Sequence, residues 1–250
     1  MVNFDDDNDD EQEKDTDNMR PAVVLPTYNE AENIREITES ILRAAPEIFV
    51  VIVDDESPDG TGRIADELAS RYSEIRVLHR RGKRGRGYAG AEGFRYCVAH
   101  GFDPILEMDA DFSHDPLYIP QFLAESRDWD VVIGSRSVPG GGAPARGLGR
   151  RLVTAGAAFY LRTMLGLKGV RDPTSGYRCF RRSVLESIRL ETLTAPGPGI
   201  VTEVLYRCRN FRIKEIPILF QERERGRSKF SPKAMWESLS LAARLRLRGR

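Results

Sequence analysis

Between Ala22 and Gly134 the chain alternates short apolar runs with longer stretches whose apolar residues recur every three or four positions. The short runs are Ala22–Pro26, Phe49–Val53, Arg76–His79, Pro104–Met108 and Asp130–Gly134. Such runs predict strands, and the helical repeats between them predict a mostly parallel central sheet flanked by helices, an α/β fold. In the first helical stretch Asn29 and Glu32 have capping-box spacing, and Ile34, Ile37 and Ile41 share one face. Gly60-Thr61 introduces a second helix to about Tyr72, and a third runs from near Gly87 to His100. Asp115-Pro116 pairs an N-cap with a proline at the first helical position and opens a fourth.

After Gly134 the regularity breaks. Residues 138–149, VPGGGAPARGLG, are too rich in glycine and proline for a regular element and predict a mobile loop. Helices follow over Arg150–Leu165 and Glu203–Phe211, with a strand over Arg212–Phe220. A last helix starts at Ser231-Pro232, carries Met235, Trp236, Leu239 and Leu245, and ends among Arg244, Arg246, Arg248 and Arg250.

Composition refines this picture in two ways. The formal net charge of zero conceals segregation: residues 1–18 hold nine carboxylates against Lys14, which leaves the remainder with 37 Lys and Arg, 29 Asp and Glu, and a net of +8. The nearly apolar-free start predicts a disordered acidic leader over 1–20, a catalytic domain over 21–230 and a basic amphipathic helix over 231–250. No stretch approaches the ~20 apolar residues of a membrane span, and the N-terminus lacks the pattern of a signal peptide. The three cysteines, Cys97, Cys179 and Cys208, show no metal-ligand spacing. The expected setting is therefore cytoplasmic, soluble or peripheral to a membrane.

The chemistry-bearing residues cluster after the predicted strands, where open parallel sheets bind ligands. Pro26-Thr27-Tyr28-Asn29-Glu30 follows the first, Asp54-Asp55 the second, Asp109-Ala110-Asp111 the fourth and Gly134-Ser135-Arg136 the fifth. Alternation at a strand end points Asp109 and Asp111 the same way, and two close carboxylates call for a hard cation, Mg²⁺ or Mn²⁺. Asp54-Asp55 serves either as a helix-capping turn or as an acceptor for a ribose or base. Neither G-x-G-x-x-G after the first strand nor G-x-x-x-x-G-K-[ST] is present, which excludes NAD and P-loop chemistry. The basic run Arg80–Gly87 reads either as a solvated loop or as a phosphate-facing one. It lacks the aromatic interleaving of a nucleic-acid surface, and no nucleic-acid partner is expected.

Taken in order, PTYNE at 26–30, VDDESPDGT at 53–61, KRGRGYA at 83–89, MDADFSHDP at 108–116, GSR at 134–136, DPTSGYRCF at 172–180 and ERERGRSKF at 222–230 resemble the inverting family-two glycosyltransferases of the GT-A fold. The likeness is strongest to the dolichyl- or polyprenyl-phosphate mannose synthases. It implies a GT-A type nucleotide-sugar-binding domain in which Pro26, Tyr28, Glu30, Val53 and Asp55 contact the nucleoside of GDP-mannose. Asp109, Ala110 and Asp111 then form the metal and diphosphate site, with Ser113 where some members place a glutamine ligand. Arg136, Arg223 and Lys229 match phosphate-binding positions, Arg178 adds to them, and Arg86 departs from a leucine common in relatives. The implied acceptor is a dolichyl or polyprenyl phosphate, reached through peripheral contact at the cytoplasmic membrane face, with or without a separate membrane subunit. A lipid monophosphate is already anionic, so no histidine is needed as a strong base, and His79, His100 and His114 are structural or exposed. The C-terminal helix lies either on an anionic membrane or against the domain with a solvated basic end. The rival readings are a UDP-glucose-dependent polyprenyl-phosphate glucosyltransferase and, more distantly, a sugar-1-phosphate nucleotidyltransferase.

Overall fold

A computed structural model describes residues 19–145, 147–221 and 232–248. Most of the expected leader, together with Arg223 and Lys229, lies outside the described residues. Strands β1 (Ala22–Thr27), β2 (Phe49–Asp54), β3 (Ile75–His79), β4 (Ile105–Glu107), β5 (Val131–Ser135), β6 (Arg178–Phe180) and β7 (Ile213–Pro217) form a seven-stranded sheet in the order β3-β2-β1-β4-β6-β5-β7. Every adjacent pair is parallel except those of β6, which runs antiparallel to β4 and β5. Thr27, Asp54 and His79 are in register, so the carboxyl ends of β1, β2 and β3 share one edge.

The sheet is buried on both faces, which is why β1 and β2 read as continuous apolar runs. Period-two geometry still divides them. Val23 and Leu25 enter the core with α1 (Ile34–Ala44), α2 (Thr61–Ala69) and Phe122, whereas Ala22 and Val24 enter the opposite core. That second core is closed by α3 (Arg86–Ala99), and its Phe122-bearing counterpart on the first face is α4 (Ile119–Glu125). Further helices complete the second core: α5 (Leu148–Leu165), α6 (Arg182–Ser187), α7 (Gly199–Arg207) and α8 (Pro232–Arg248).

The five runs before Gly134 appear as β1 to β5, and Asp115 caps as expected, its side chain accepting from Leu117 N ahead of a short 3₁₀ turn and α4. The capping box does not form. Helix α1 starts at Ile34 with Asn33 as N-cap and no side-chain cap. The cause is that Asn29 sits in the left-handed region (φ 58°), where its N–H donates to Ser57 Oγ at 3.0 Å. Glu30 takes over the entry, its carbonyl accepting from Asn33 and Ile34 N–H. Helix α7 lies earlier than expected, starting at Gly199 and ending at Arg207 before a turn. The glycine-rich loop is pinned at Gly142, whose N–H donates to Ile218 and whose carbonyl accepts from Phe220 N–H, and residues 148–149 already belong to α5.

Helix α8 packs against the domain through buried Leu241 and Ala242, with Arg244 and Arg246 exposed. The three cysteines are buried and unpaired, and burial pushes the Cys97 and Cys208 thiols up to about 12. No helix among the described residues is long and apolar enough to cross a membrane.

Candidate active site

Among the described residues, three of the four non-glycine residues at positive φ, Asn29, Glu56 and Phe112, lie just beyond the carboxyl ends of β1, β2 and β4. Strained backbone of this kind persists where surrounding contacts hold it, and it gathers at functional sites. Here the contacts knit the first two loops together. Asp55 N–H donates to Thr27 O at 3.0 Å, Glu30 N–H to Thr61 Oγ1 at 2.9 Å and Ala31 N–H to Asp59 Oδ2 at 3.0 Å. Pro26 and Tyr28 stay half-buried at the edge, with Arg84 over the Tyr28 ring at 5.6 Å. Glu30 is buried and its carboxylate accepts from Asn33 Nδ2 at 3.0 Å. The Val53 side chain is sealed in the core, and its carbonyl accepts from Thr27 Oγ1 at 3.3 Å.

The basic run folds back onto Asp55. One Asp55 oxygen pairs with Arg80 Nη1 and the other accepts from Gly85 N–H at 2.6 Å. Arg80 also binds Glu92 at 2.8 Å, and Arg84 binds Glu56 at 3.1 Å. Gly87 N–H donates to Pro196 O at 2.9 Å. The backbone donors of Gly85 and Gly87 therefore serve the protein itself. The glycine at 87 is explained by close approach: a Cβ there would collide with Ala195 O. Gly87→Ala is expected to cost about 3 kcal/mol in urea unfolding, the upper end for overpacking because the obstacle is backbone.

Strand β4 ends at Glu107, so Asp109 and Asp111 stand in the loop beyond it, and loop contacts rather than strand period set their positions. Asp111 is buried and its Oδ1 accepts from Ser113 N–H at 3.0 Å and Ser113 Oγ at 2.5 Å. Ala110 packs in the core between them. Asp109, with a side chain 36% exposed, receives Arg86 Nε at 3.1 Å and Nη2 at 2.9 Å on Oδ1. Its N–H donates to His114 Nδ1 at 3.0 Å, which assigns the ring proton to Nε2. His114 is buried and stacks on Tyr177 at 4.9 Å; burial pulls its pKa down despite Asp109 and Asp111 nearby, so the ring is neutral.

Two hard carboxylates two residues apart suit Mg²⁺ or Mn²⁺. Gly176 packs against this corner, where a Cβ would lie 3.2 Å from Arg86 Nη2 and 3.9 Å from Asp109 Oδ2. Among the described residues no cluster of three His, Cys, Asp or Glu side chains adds a third ligand of those types.

Arg136, beyond β5, is clamped by Asp172. Its Nε and Nη2 donate to the two carboxylate oxygens at 2.7 Å, its N–H adds a third bond at 3.0 Å, and Nη2 reaches Thr174 Oγ1 at 2.7 Å. Burial raises the Asp172 pKa, but Arg136 more than offsets this and holds it below the ordinary value. Arg178, expected to contribute to phosphate binding, is fully buried, with Nη2 donating to Pro173 O at 2.9 Å and Nη1 to Val201 O. Burial lowers its pKa to about 10, and nearby Glu107 partly counters that. It cannot meet a ligand in the cleft. Arg223 and Lys229 fall outside the described residues, but Gln221, the last residue described before them, donates its N–H to Ser113 O at 3.3 Å.

Sequence reasoning assigned no role to Glu107, Asp172 or Thr174. The last two lie inside the DPTSGYR block, which was a usable signal; Glu107 announced itself only as a charge ending an apolar run.

The fold and this edge define a class: an α/β protein with a mostly parallel sheet that gathers carboxylates and guanidinium groups at its strand ends. The chain belongs to Glycosyl transferase family 2, whose family model matches residues 22–189, and it is a glycosyltransferase of GT-A type. It is 42% identical over 215 residues to the undecaprenyl-phosphate mannosyltransferase of Micrococcus luteus, covering 85% of this chain and 88% of that one. It is 40% identical over 236 residues to the polyprenol monophosphomannose synthase of Mycolicibacterium smegmatis, covering 93% and 89%. Its fold is similar to that of glucosyl-3-phosphoglycerate synthase from Mycobacterium tuberculosis, solved with Mn²⁺, UDP-glucose and phosphoglyceric acid. That match has a TM-score of 0.68 at 23% identity and covers 95% of this chain and 83% of the other.

Proposed function

We propose that this protein transfers mannose from GDP-mannose to a dolichyl or polyprenyl monophosphate with inversion, releasing GDP. The observation that carries the reading is the continuous contact network along one sheet edge, from Tyr28 and Asp55 through the basic run to Asp109 and Asp111. The names of the two relatives above, both mannose enzymes acting on polyprenyl lipids, support the choice of sugar and acceptor.

Asp109 and Asp111 would hold the divalent cation, with the Ser113 hydroxyl as a further ligand. When bound, the ion supplies Lewis-acid neutralisation of the departing diphosphate. Ser113 also braces Asp111, since its N–H and hydroxyl both donate to Oδ1 and fix the carboxylate's orientation. Pro26, Tyr28, Glu30, Val53 and Asp55 would contact the nucleoside, and Arg136, Arg223 and Lys229 would bind phosphate groups. Asp172 and Thr174 preset the Arg136 guanidinium, so little rotamer freedom is lost on binding. The lipid phosphate attacks C1 of the sugar as an anion and needs no strong base. Neutral His114, its Nδ1 occupied, is a positioning residue for the Asp109 backbone.

The test is incubation of the purified protein with GDP-mannose, Mg²⁺ or Mn²⁺ and a polyprenyl phosphate, reading mannosyl-lipid. Absence of product above an Asp109→Ala/Asp111→Ala control overturns the reading. A UDP-glucose competition arm that displaces GDP-mannose overturns the donor.

We also place the protein peripherally at the cytoplasmic face of a membrane. Helix α5, which follows the Gly142-pinned loop, exposes Leu152 (73%), Val153 and Phe159 (65%), and α8 exposes Trp236 and Leu247 beside Arg244 and Arg246. Burying a Leu or Phe is worth about 1.5–3 kcal/mol. Leu152→Glu/Phe159→Glu is therefore expected to weaken binding to anionic vesicles by about a hundredfold in a sedimentation assay, and unchanged binding removes α5 from the membrane contact.

A further inference from the structure

A guanidinium stands against the proposed cation site, paired with Asp109 and with buried Glu107. Arg86 opens α3 and reaches across to β4 and the loop after it. Its Nη1 donates to Glu107 Oε1 at 3.0 Å, while Nε and Nη2 converge on Asp109 Oδ1 at 3.1 and 2.9 Å. Glu107 is buried, and the Arg86 side chain is itself only 21% exposed. Gly176 makes the room: a Cβ there would lie 3.2 Å from Arg86 Nη2. A neutral leucine at 86 could make neither ion pair.

We propose that Arg86 is a built-in counter-ion that competes with the divalent cation for Asp109 and so makes cation binding depend on the nucleotide diphosphate. The inference rests on the proposed role of Asp109 and Asp111 as the cation site. With only the protein present, a cation approaching Asp109 meets a fixed guanidinium that already satisfies one carboxylate oxygen and repels a second positive charge through a poorly screened medium. A diphosphate changes that balance. It brings negative charge for both cations, so Arg86 keeps Glu107 through Nη1 while Nε and Nη2 turn to anionic oxygens. Cation and diphosphate then bind cooperatively, and by linkage each tightens the other by the same factor.

The experiment titrates Mn²⁺ into the full chain with GDP absent or present, following free Mn²⁺ by its paramagnetic resonance signal. Arg86→Leu is expected to bind Mn²⁺ alone at least about tenfold more tightly than wild type. GDP is expected to tighten Mn²⁺ binding markedly in wild type and much less in the variant. Should buried Glu107, left unpaired, unfold the single variant, Arg86→Leu/Glu107→Gln carries the same comparison. Equal or weaker Mn²⁺ binding in a folded variant overturns the counter-ion role, while GDP-dependent binding by wild type leaves the cation site standing. If wild type takes up no Mn²⁺ even with GDP, and Asp109→Ala changes nothing, the cation site itself is overturned.

Discussion

Asp111→Asn is expected to lower mannosyl-lipid formation by about 10²–10³-fold, the usual cost of removing one preorganised electrostatic group from a transition-state site. Asp109→Ala/Asp111→Ala is expected to leave no rate above background. Asp111 is the more telling position of the two. Its carboxylate is buried and receives both bonds from Ser113, whereas Asp109 is more exposed and shares its Oδ1 with Arg86. Asn at 111 keeps the shape and can still accept from Ser113, so the fold is expected to survive with an unchanged urea midpoint. What disappears is the negative charge that we propose holds a cation against a leaving diphosphate. The check is the rate at saturating GDP-mannose over a range of Mn²⁺ concentrations. Activity restored to wild type by high Mn²⁺ would assign Asp111 to affinity alone; a persistent deficit assigns it to the chemical step as well.

Asp172→Ala is expected to cost about 3–5 kcal/mol of stability, because it leaves the Arg136 guanidinium buried without its counter-charge. Asp172 is sealed at 2% side-chain exposure, and Arg136 keeps 11% open at the edge. Three of the carboxylate's bonds come from Arg136 and a fourth comes from Thr174 Oγ1 at 2.9 Å. The folded pKa of Asp172 lies below its ordinary 3.8. Its contribution is therefore fully present above about pH 3.8 and lost as pH falls through the lower native value. Urea unfolding at neutral pH should show the full difference between wild type and variant, and the difference should shrink below pH 3.8. A gap that persists undiminished in acid would mean that packing, not charge, accounts for it.

Much of this was legible in local pattern. Strands β1 to β5 and helix α1 declare themselves in local pattern, the strands as short apolar runs and α1 by Ile34, Ile37 and Ile41 on one buried face. The residues after those strands carried the chemistry in view: PTYNE, Asp54-Asp55, Asp109-Ala110-Asp111 and Arg136 all stand at the predicted edge. Strand β6 was not legible. Its three residues, Arg178 to Phe180, have no period of their own and become a strand because Leu106 and Val132 pair with Cys179 from either side. The same insertion buries Arg178, which a linear motif made look like a phosphate ligand.

The sequence by itself determined an α/β sheet, the family and the edge where its carboxylates collect, since these follow from periodicity and from short contiguous blocks. Only the tertiary structure decided what each charge faces. Arg136 meets Asp172 across 36 positions, and Arg86 meets Asp109 across 23. It decided too that Gly87 is glycine for Ala195 rather than for a phosphate. An ion pair is set by distance and burial in three dimensions, and local pattern contains neither.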